Sequence, residues 1–202
     1  MRKAWECYFS FYRRWVYWVT ICVAPAIIII SKEITPDKYA VVLKHEYLIF
    51  YFLCLMLCER FGMHGILSYS KDKYAFFCTS SNGADYFRNV FAADLTVKTA
   101  VLLGLSFYVY DVGPKGIVAF TFVYILLLAA SILIRYINVD NDGIQAAGIV
   151  IGVIVTNVFL VTAISDMYRG WPIFVGVAVL AGFGYYKACM RRMGEKYQWS
   201  KI

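Results

Sequence analysis

Long apolar runs separated by short polar links dominate the pattern of the chain. Two of these runs contain no charged residue over nineteen and twenty-one positions, at 116–134 and 144–164. A helix of about 20 apolar residues matches the thickness of the hydrocarbon core of a bilayer. Core elements of a small soluble domain are shorter. The pattern therefore predicts an all-α integral membrane protein.

Six apolar runs follow one another along the chain. The first contains Pro25, and the second is interrupted by Glu59 and Arg60, so it ends at Cys58 or places both charges just inside the cytoplasmic boundary. The remaining polar stretches are too short for a soluble domain, so 1–202 is predicted to be a single transmembrane domain. The predicted transmembrane helices cover 15–30, 47–67, 90–110, 116–134, 144–164 and 171–186.

Residues 1–14 have the pattern of an amphipathic helix. Aromatic residues recur at helical spacing on one face, and basic residues gather on the other. This arrangement is typical of a helix that lies in the interface of an anionic leaflet. The aromatic positions are Trp5, Tyr8, Phe9 and Tyr12.

The distribution of Lys and Arg predicts the orientation. With the amino terminus inside, fifteen of the 20 basic residues fall in inner segments and five in outer segments such as 31–46 and 111–115. Inner loops of membrane proteins carry the excess of basic residues. Both termini are therefore predicted to be cytoplasmic. The chain is predicted to lie in the plasma membrane. The same distribution accounts for the net charge of +7 without a nucleic-acid partner.

Sequence signatures of catalysis and of nucleotide binding are not found. The chain contains no G-x-x-x-x-G-K-[ST], H-E-x-x-H or G-x-S-x-G sequence. No catalytic residue, metal ligand or bound cofactor is predicted. Cys54 and Cys58 are four residues apart on one helix but are interpreted as buried thiols. His45 is expected to be a solvated residue at the outer end of the second span.

Two patterns within the spans predict contacts between helices. Asp94 and Lys98 have the i, i+4 spacing of an intrahelical ion pair, and with Glu59 and Arg60 they are predicted to lie near the inner boundary. Small residues four apart let helix backbones approach closely. They occur at Gly148 and Gly152, and at Ala178 and Gly182.

The stretch 75–88 is aromatic, yet too polar to span a membrane. Its aromatic side chains need a protein groove or the membrane interface. It is predicted to be a cytoplasmic coupling element with aromatic anchors, a Ser-Asn turn and charges at the rim. The residues are Phe77, Ser80, Asn82, Asp85, Tyr86, Phe87 and Arg88.

This order of elements resembles the permease subunit of ATP-binding-cassette (ABC) exporters of the type-2 class. In that family an amphipathic helix precedes six spans, and the loop between the second and third spans docks on a separate ATPase. The match covers the whole chain as topology, but only 75–88 as a motif. Asn82-Gly83-Ala84-Asp85 departs from the family, in which a basic residue commonly follows the turn.

The resemblance implies a transport subunit that exports a peptide, drug or lipid. ATP and Mg would be bound by the partner ATPase, and a second permease copy or paralogue and membrane lipids would be the other partners. Two alternatives stay open. One is the six-span substrate-binding module of an energy-coupling transporter. The other is a membrane cysteine protease that uses His64 and Cys78.

Overall fold

A computed structural model describes residues 14–58, 83–110, 112–136, 150–155, 158 and 168–199 of the chain. This part is almost entirely helical. Helix α1 covers Arg14–Ile34, and the next helices are α2 (Asp37–Cys58), α3 (Gly83–Tyr110), α4 (Pro114–Tyr136) and α5 (Trp171–Trp199). A short 3₁₀ turn, Tyr168–Gly170, precedes α5, and residues 150–155 are also helical.

Helix α1 contains a wide turn. It is α-helical over Arg14–Trp18 and Ala24–Ile34, with the π-helical turn Val19–Val23 between them. The Ala24 amide donates to the Val19 carbonyl, five residues back. Pro25 has no amide proton, and its ring would clash with the carbonyl four residues before it in an α-helix. The wide turn removes that clash.

The helices extend beyond the predicted spans. The link predicted at 31–46 is largely helical, and the break between α1 and α2 is only Thr35 and Pro36. Thr35 is extended, with ψ of 124°, because the residue before a proline avoids the helical region. Apolar length predicts the part of a helix that fits the bilayer, and the polar turns that continue it outside carry no such signal.

The break between α1 and α2 and the break between α3 and α4 lie at the same end of the helix bundle. Tyr108 near the end of α3 contacts Lys32 and Glu33 near the end of α1, and Tyr110 contacts His45 near the start of α2. We call this the turn end and the opposite end the open end. Helices α1 to α4 therefore alternate in direction.

Helix α5 packs along α4 and runs in the same direction. The Thr121 hydroxyl lies 3.4 Å from the Phe174 carbonyl oxygen, and Tyr124 contacts the backbone at Gly182. Residue numbers therefore rise together along the two helices. Tyr136 at the end of α4 is therefore at the open end, and Tyr168 before α5 is at the turn end.

Large apolar side chains cover the outside of the bundle. Leu180 and Ile173 are each 71% exposed, and Ile34 is 75% exposed. Among the described residues, three helical stretches are long and apolar enough to cross a membrane, Trp15–Ile34, Ala92–Tyr110 and Pro114–Ser131. An apolar exterior of this extent fits lipid rather than water. These features indicate a membrane protein.

Candidate functional site: a buried ion pair between three helices

The best candidate for a functional site is an ion pair inside the bundle. Lys98 Nζ lies 2.8 Å from Asp94 Oδ2, and the residues are only 2% and 1% exposed. Both belong to α3 and lie one helical turn apart. The spacing in the sequence predicts this pairing, and the structure contains it.

Hydroxyl groups from two other helices surround the pair. Tyr17 of α1 interacts electrostatically with both charges. Tyr51 of α2 lies within electrostatic reach of Lys98. Cys58 lies about two turns further along α2 than Tyr51, towards the open end. It interacts electrostatically with Tyr17 and Tyr51. The pair therefore sits where α1, α2 and α3 meet.

The depth of the pair follows from helix geometry. At 1.5 Å per residue, Lys98 and Asp94 lie about 18 and about 24 Å along α3 from Tyr110 at the turn end. The hydrocarbon core of a bilayer is about 30 Å thick. A bilayer boundary at Tyr110 would place both charges inside the hydrocarbon layer and nearer the open end. Charges at this depth are costly and typically mark functional positions.

Not every buried polar atom of the site has a hydrogen-bond partner among the described residues. Asp94 Oδ1 and Tyr51 Oη are buried and have no hydrogen-bond partner among the described residues. A buried acceptor without a partner costs about 1–3 kcal/mol. The Asp94 carboxylate can therefore accept a further hydrogen bond.

A second group of polar contacts ties the helices together at the turn end. The Lys32 ammonium donates to the Tyr108 carbonyl oxygen and lies 4.3 Å from the centre of that tyrosine ring, whose hydroxyl donates to Glu33. Thr35 Oγ1 and Tyr47 Oη are 2.9 Å apart. These contacts join α1 to both α3 and α2.

His45 completes the turn-end contacts. Its Nδ1 lies 2.5 Å from the Tyr110 hydroxyl, and the side chain is half-buried. The expectation of a solvated histidine was wrong, because its partner is 65 residues away in the chain and cannot be inferred from local pattern. Burial lowers the pKa of His45, and the neighbouring Glu46 carboxylate offsets part of that effect.

The small residues predicted for helix packing have different surroundings. A Cβ atom added at Gly182 would lie 2.7 Å from the Tyr124 hydroxyl, and one at Gly152 would lie 3.6 Å from the Phe52 ring. Ala178 is buried. Gly148 lies outside the described residues. At Gly182 the absence of a side chain lets α4 and α5 approach each other closely.

Much of the predicted coupling element lies outside the described residues. This applies to Phe77, Ser80 and Asn82, and also to the boundary charges Glu59 and Arg60. The second half of the element belongs to the first turns of α3, so its backbone continues into the span without a break. These helical positions are Asp85, Tyr86, Phe87 and Arg88.

The described residues include potential metal ligands and thiols. Within them no group of three His, Cys, Asp or Glu side chains could hold a metal ion. Cys22, Cys54 and Cys58 are thiols rather than disulfides. His64 and Cys78, the pair proposed for a protease, lie outside this part of the chain.

Comparison of the chain with protein-family models, with curated proteins and with solved structures found no match.

Proposed function

We propose that the chain is the transmembrane permease subunit of an ABC-type exporter in the plasma membrane. A separate ATPase binds ATP and Mg, and the substrate is an amphipathic peptide, drug or lipid. The complete unit contains a second permease copy or a paralogue. The observation that carries the proposal is the continuity of α3, which joins half of the coupling element to the turn end.

Helix α3 has the dimensions of a lever. Its 28 residues correspond to a rod about 42 Å long. Residues 83–88 form one end, the ion pair of Asp94 and Lys98 lies along its length, and Tyr108 and Tyr110 lie at the other end. A force applied to 83–88 would therefore move the buried charges and the turn-end contacts together. A subunit driven by an external ATPase needs such a rigid connection.

Six spans with both termini in the cytoplasm belong to the proposal. The parallel course of α4 and α5 supports a further crossing between Tyr136 and Tyr168, where the sequence predicts the span 144–164. The turn end is then the outer end. The fifteen inner and five outer basic residues support that orientation. The interfacial helix predicted for 1–14 stays a prediction, because residues 1–13 lie outside the described part and Arg14 is the first residue of α1.

A labelling experiment tests the topology. Single cysteines placed at Lys38 and Ser200, in a chain whose native cysteines are replaced, are expected to react with an impermeant maleimide from opposite sides of intact cells. Lys38 is at the turn end and Ser200 follows α5 at the open end. Reaction of both positions from the same side would contradict the six-span topology.

Co-purification from native membranes tests the function. We expect an ABC-type ATPase to accompany the chain, and Phe77→Ala or Phe87→Ala to weaken the association by about 2 kcal/mol or more, since buried aromatic residues dominate interfaces. Arg88→Ala, a rim charge, should cost less. The proposal fails if no ATPase accompanies the chain, or if both phenylalanine variants bind normally while truncation at Lys187 abolishes binding.

A matched pair of variants tests the lever itself. Replacement of Asn89 and Val90 by two glycines removes the same side chains as replacement by two alanines, but each glycine costs a helix about 1 kcal/mol relative to alanine. We expect the Gly-Gly variant to bind the ATPase yet lose the ATP-dependent fluorescence change of a probe attached at Val112→Cys. The Ala-Ala variant should keep it. Equal responses of the two variants would show that α3 does not transmit the movement.

A further inference from the structure

We propose that His45 and Tyr110 form an acid-released latch between α2 and α3 at the turn end. The latch closes when His45 is neutral and opens when the imidazole is protonated. This inference depends only on the geometry of the turn end and holds whatever the chain transports.

The contact joins two helices that have no covalent link at that end. Tyr110 is the last residue of α3, and His45 is in the third turn of α2. The Tyr110 hydroxyl and His45 Nδ1 are 2.5 Å apart, within hydrogen-bond distance, and the centres of the two rings are 5.8 Å apart. With Nδ1 unprotonated, the hydroxyl donates to it and fixes the spacing of the helices.

Protonation of His45 changes both parts of this contact. Nδ1 becomes a donor, so the Tyr110 oxygen can only accept from it, and the proton of the Tyr110 hydroxyl has to find another acceptor. The ring also gains a charge in a half-buried position, where desolvation disfavours it. Separation of the helix ends relieves both costs, because water can then reach the imidazolium. The protonated state therefore favours the open latch.

The neighbouring charged groups do not remove this effect. On α2, Lys44 and Glu46 flank the histidine, and the Glu46 carboxylate raises its pKa by less than burial lowers it. On the far side of α3, Tyr108 engages Lys32 and Glu33 of α1. Lys115 is at the exposed start of α4.

The direction of the pH dependence follows from linkage. Burial depresses the pKa of His45 in the closed latch below the value of about 6.5 for an exposed histidine, so the open state binds the proton more readily. The contribution of the latch is complete above about pH 6.5 and is lost as the pH falls below it. Below the pKa that His45 has in the closed latch, this contribution no longer changes with pH.

Distance measurements between spin labels test the latch. Labels at Lys38→Cys on α2 and at the exposed Val112→Cys, both at the turn end, report the spacing of the helix ends in a cysteine-replaced chain in lipid nanodiscs. We expect a narrow distance distribution at pH 7.5 and a longer, broader one at pH 5. A distribution that is the same at both pH values would overturn the proposal.

Two variants at the latch separate titration from loss of structure. His45→Gln keeps a hydrogen-bond acceptor but does not titrate, and it should give the narrow distribution at both pH values. Tyr110→Phe removes the hydroxyl and should give the broad distribution at both. If His45→Gln opens at pH 5 as the parent does, another group is the sensor and the proposal is wrong.

Discussion

Asp94→Ala is expected to lower the free energy of unfolding by about 3–5 kcal/mol, the cost of removing one partner of a buried ion pair. The Lys98 ammonium would be left 2% exposed between three helices without its carboxylate. Lys98→Ala should have a similar effect because it leaves the carboxylate buried. Thermal and denaturant unfolding in detergent measure both variants. Thr96→Ala, at an exposed position of the same helix, is the control and should change stability by less than about 0.5 kcal/mol.

A double variant separates stability from function at this site. Replacement of a buried pair by apolar residues of similar volume is often neutral or stabilising. Asp94→Leu combined with Lys98→Met should therefore recover most of the lost stability. If the pair is a functional pivot, the ATP-dependent response of the Val112 probe should remain lost in this stable variant. Full recovery of the response would show that the pair is needed only for folding.

Gly116→Ala is expected to destabilise the protein by about 1–3 kcal/mol through overpacking of the hairpin between α3 and α4. The added Cβ would lie 2.7 Å from Phe107 Cδ1 and 3.3 Å from the Ser106 carbonyl oxygen. The Phe107 ring can rotate away, but the backbone carbonyl can move only if the two helices separate. Chemical unfolding in detergent measures the loss.

Gly104→Ala is the matched control for this variant. It lies in the half of α3 nearer the turn end, and a Cβ there would meet no atom within 4 Å beyond the neighbouring backbone of its own helix. Alanine is a better helix former than glycine by about 1 kcal/mol, so this variant should be unchanged or slightly more stable. If Gly116→Ala is as stable as Gly104→Ala, the helices are not in close contact at this turn.

The sequence predicts the helices well because apolar length is a local property. The predicted spans at 90–110 and 116–134 fall within α3 and α4, and the end of α3 at Tyr110 agrees with the prediction, whereas the first turns of α3 were missed. The ends depend on polar turns such as Gly83–Asn89, which carry no apolar signal. The break at Thr35 also had a local cause in Pro36, but its shortness did not follow from composition.

The candidate site was only partly predictable, for a related reason. Asp94 and Lys98 are four residues apart, so helical geometry alone predicts their pairing. Tyr17 and Tyr51 reach them from 77 and 43 residues away from Asp94, and in the sequence they are two among 17 tyrosines. The contact of His45 with Tyr110 likewise depends on the antiparallel course of α2 and α3. Only the packing of the helices identifies these residues.

The wide turn at Val19–Val23 makes the position of Tyr17 depend on chain length as well as on residue type. A π-helical turn is equivalent to one residue inserted into an α-helix. Each residue of an α-helix accounts for about 100° of rotation, so deleting one residue there would turn everything before it by that angle. Tyr17 would then face away from Asp94 although no side chain had been substituted. A homologous chain without the wide turn would show a one-residue gap at this point and would have to supply the hydroxyl group from a different position.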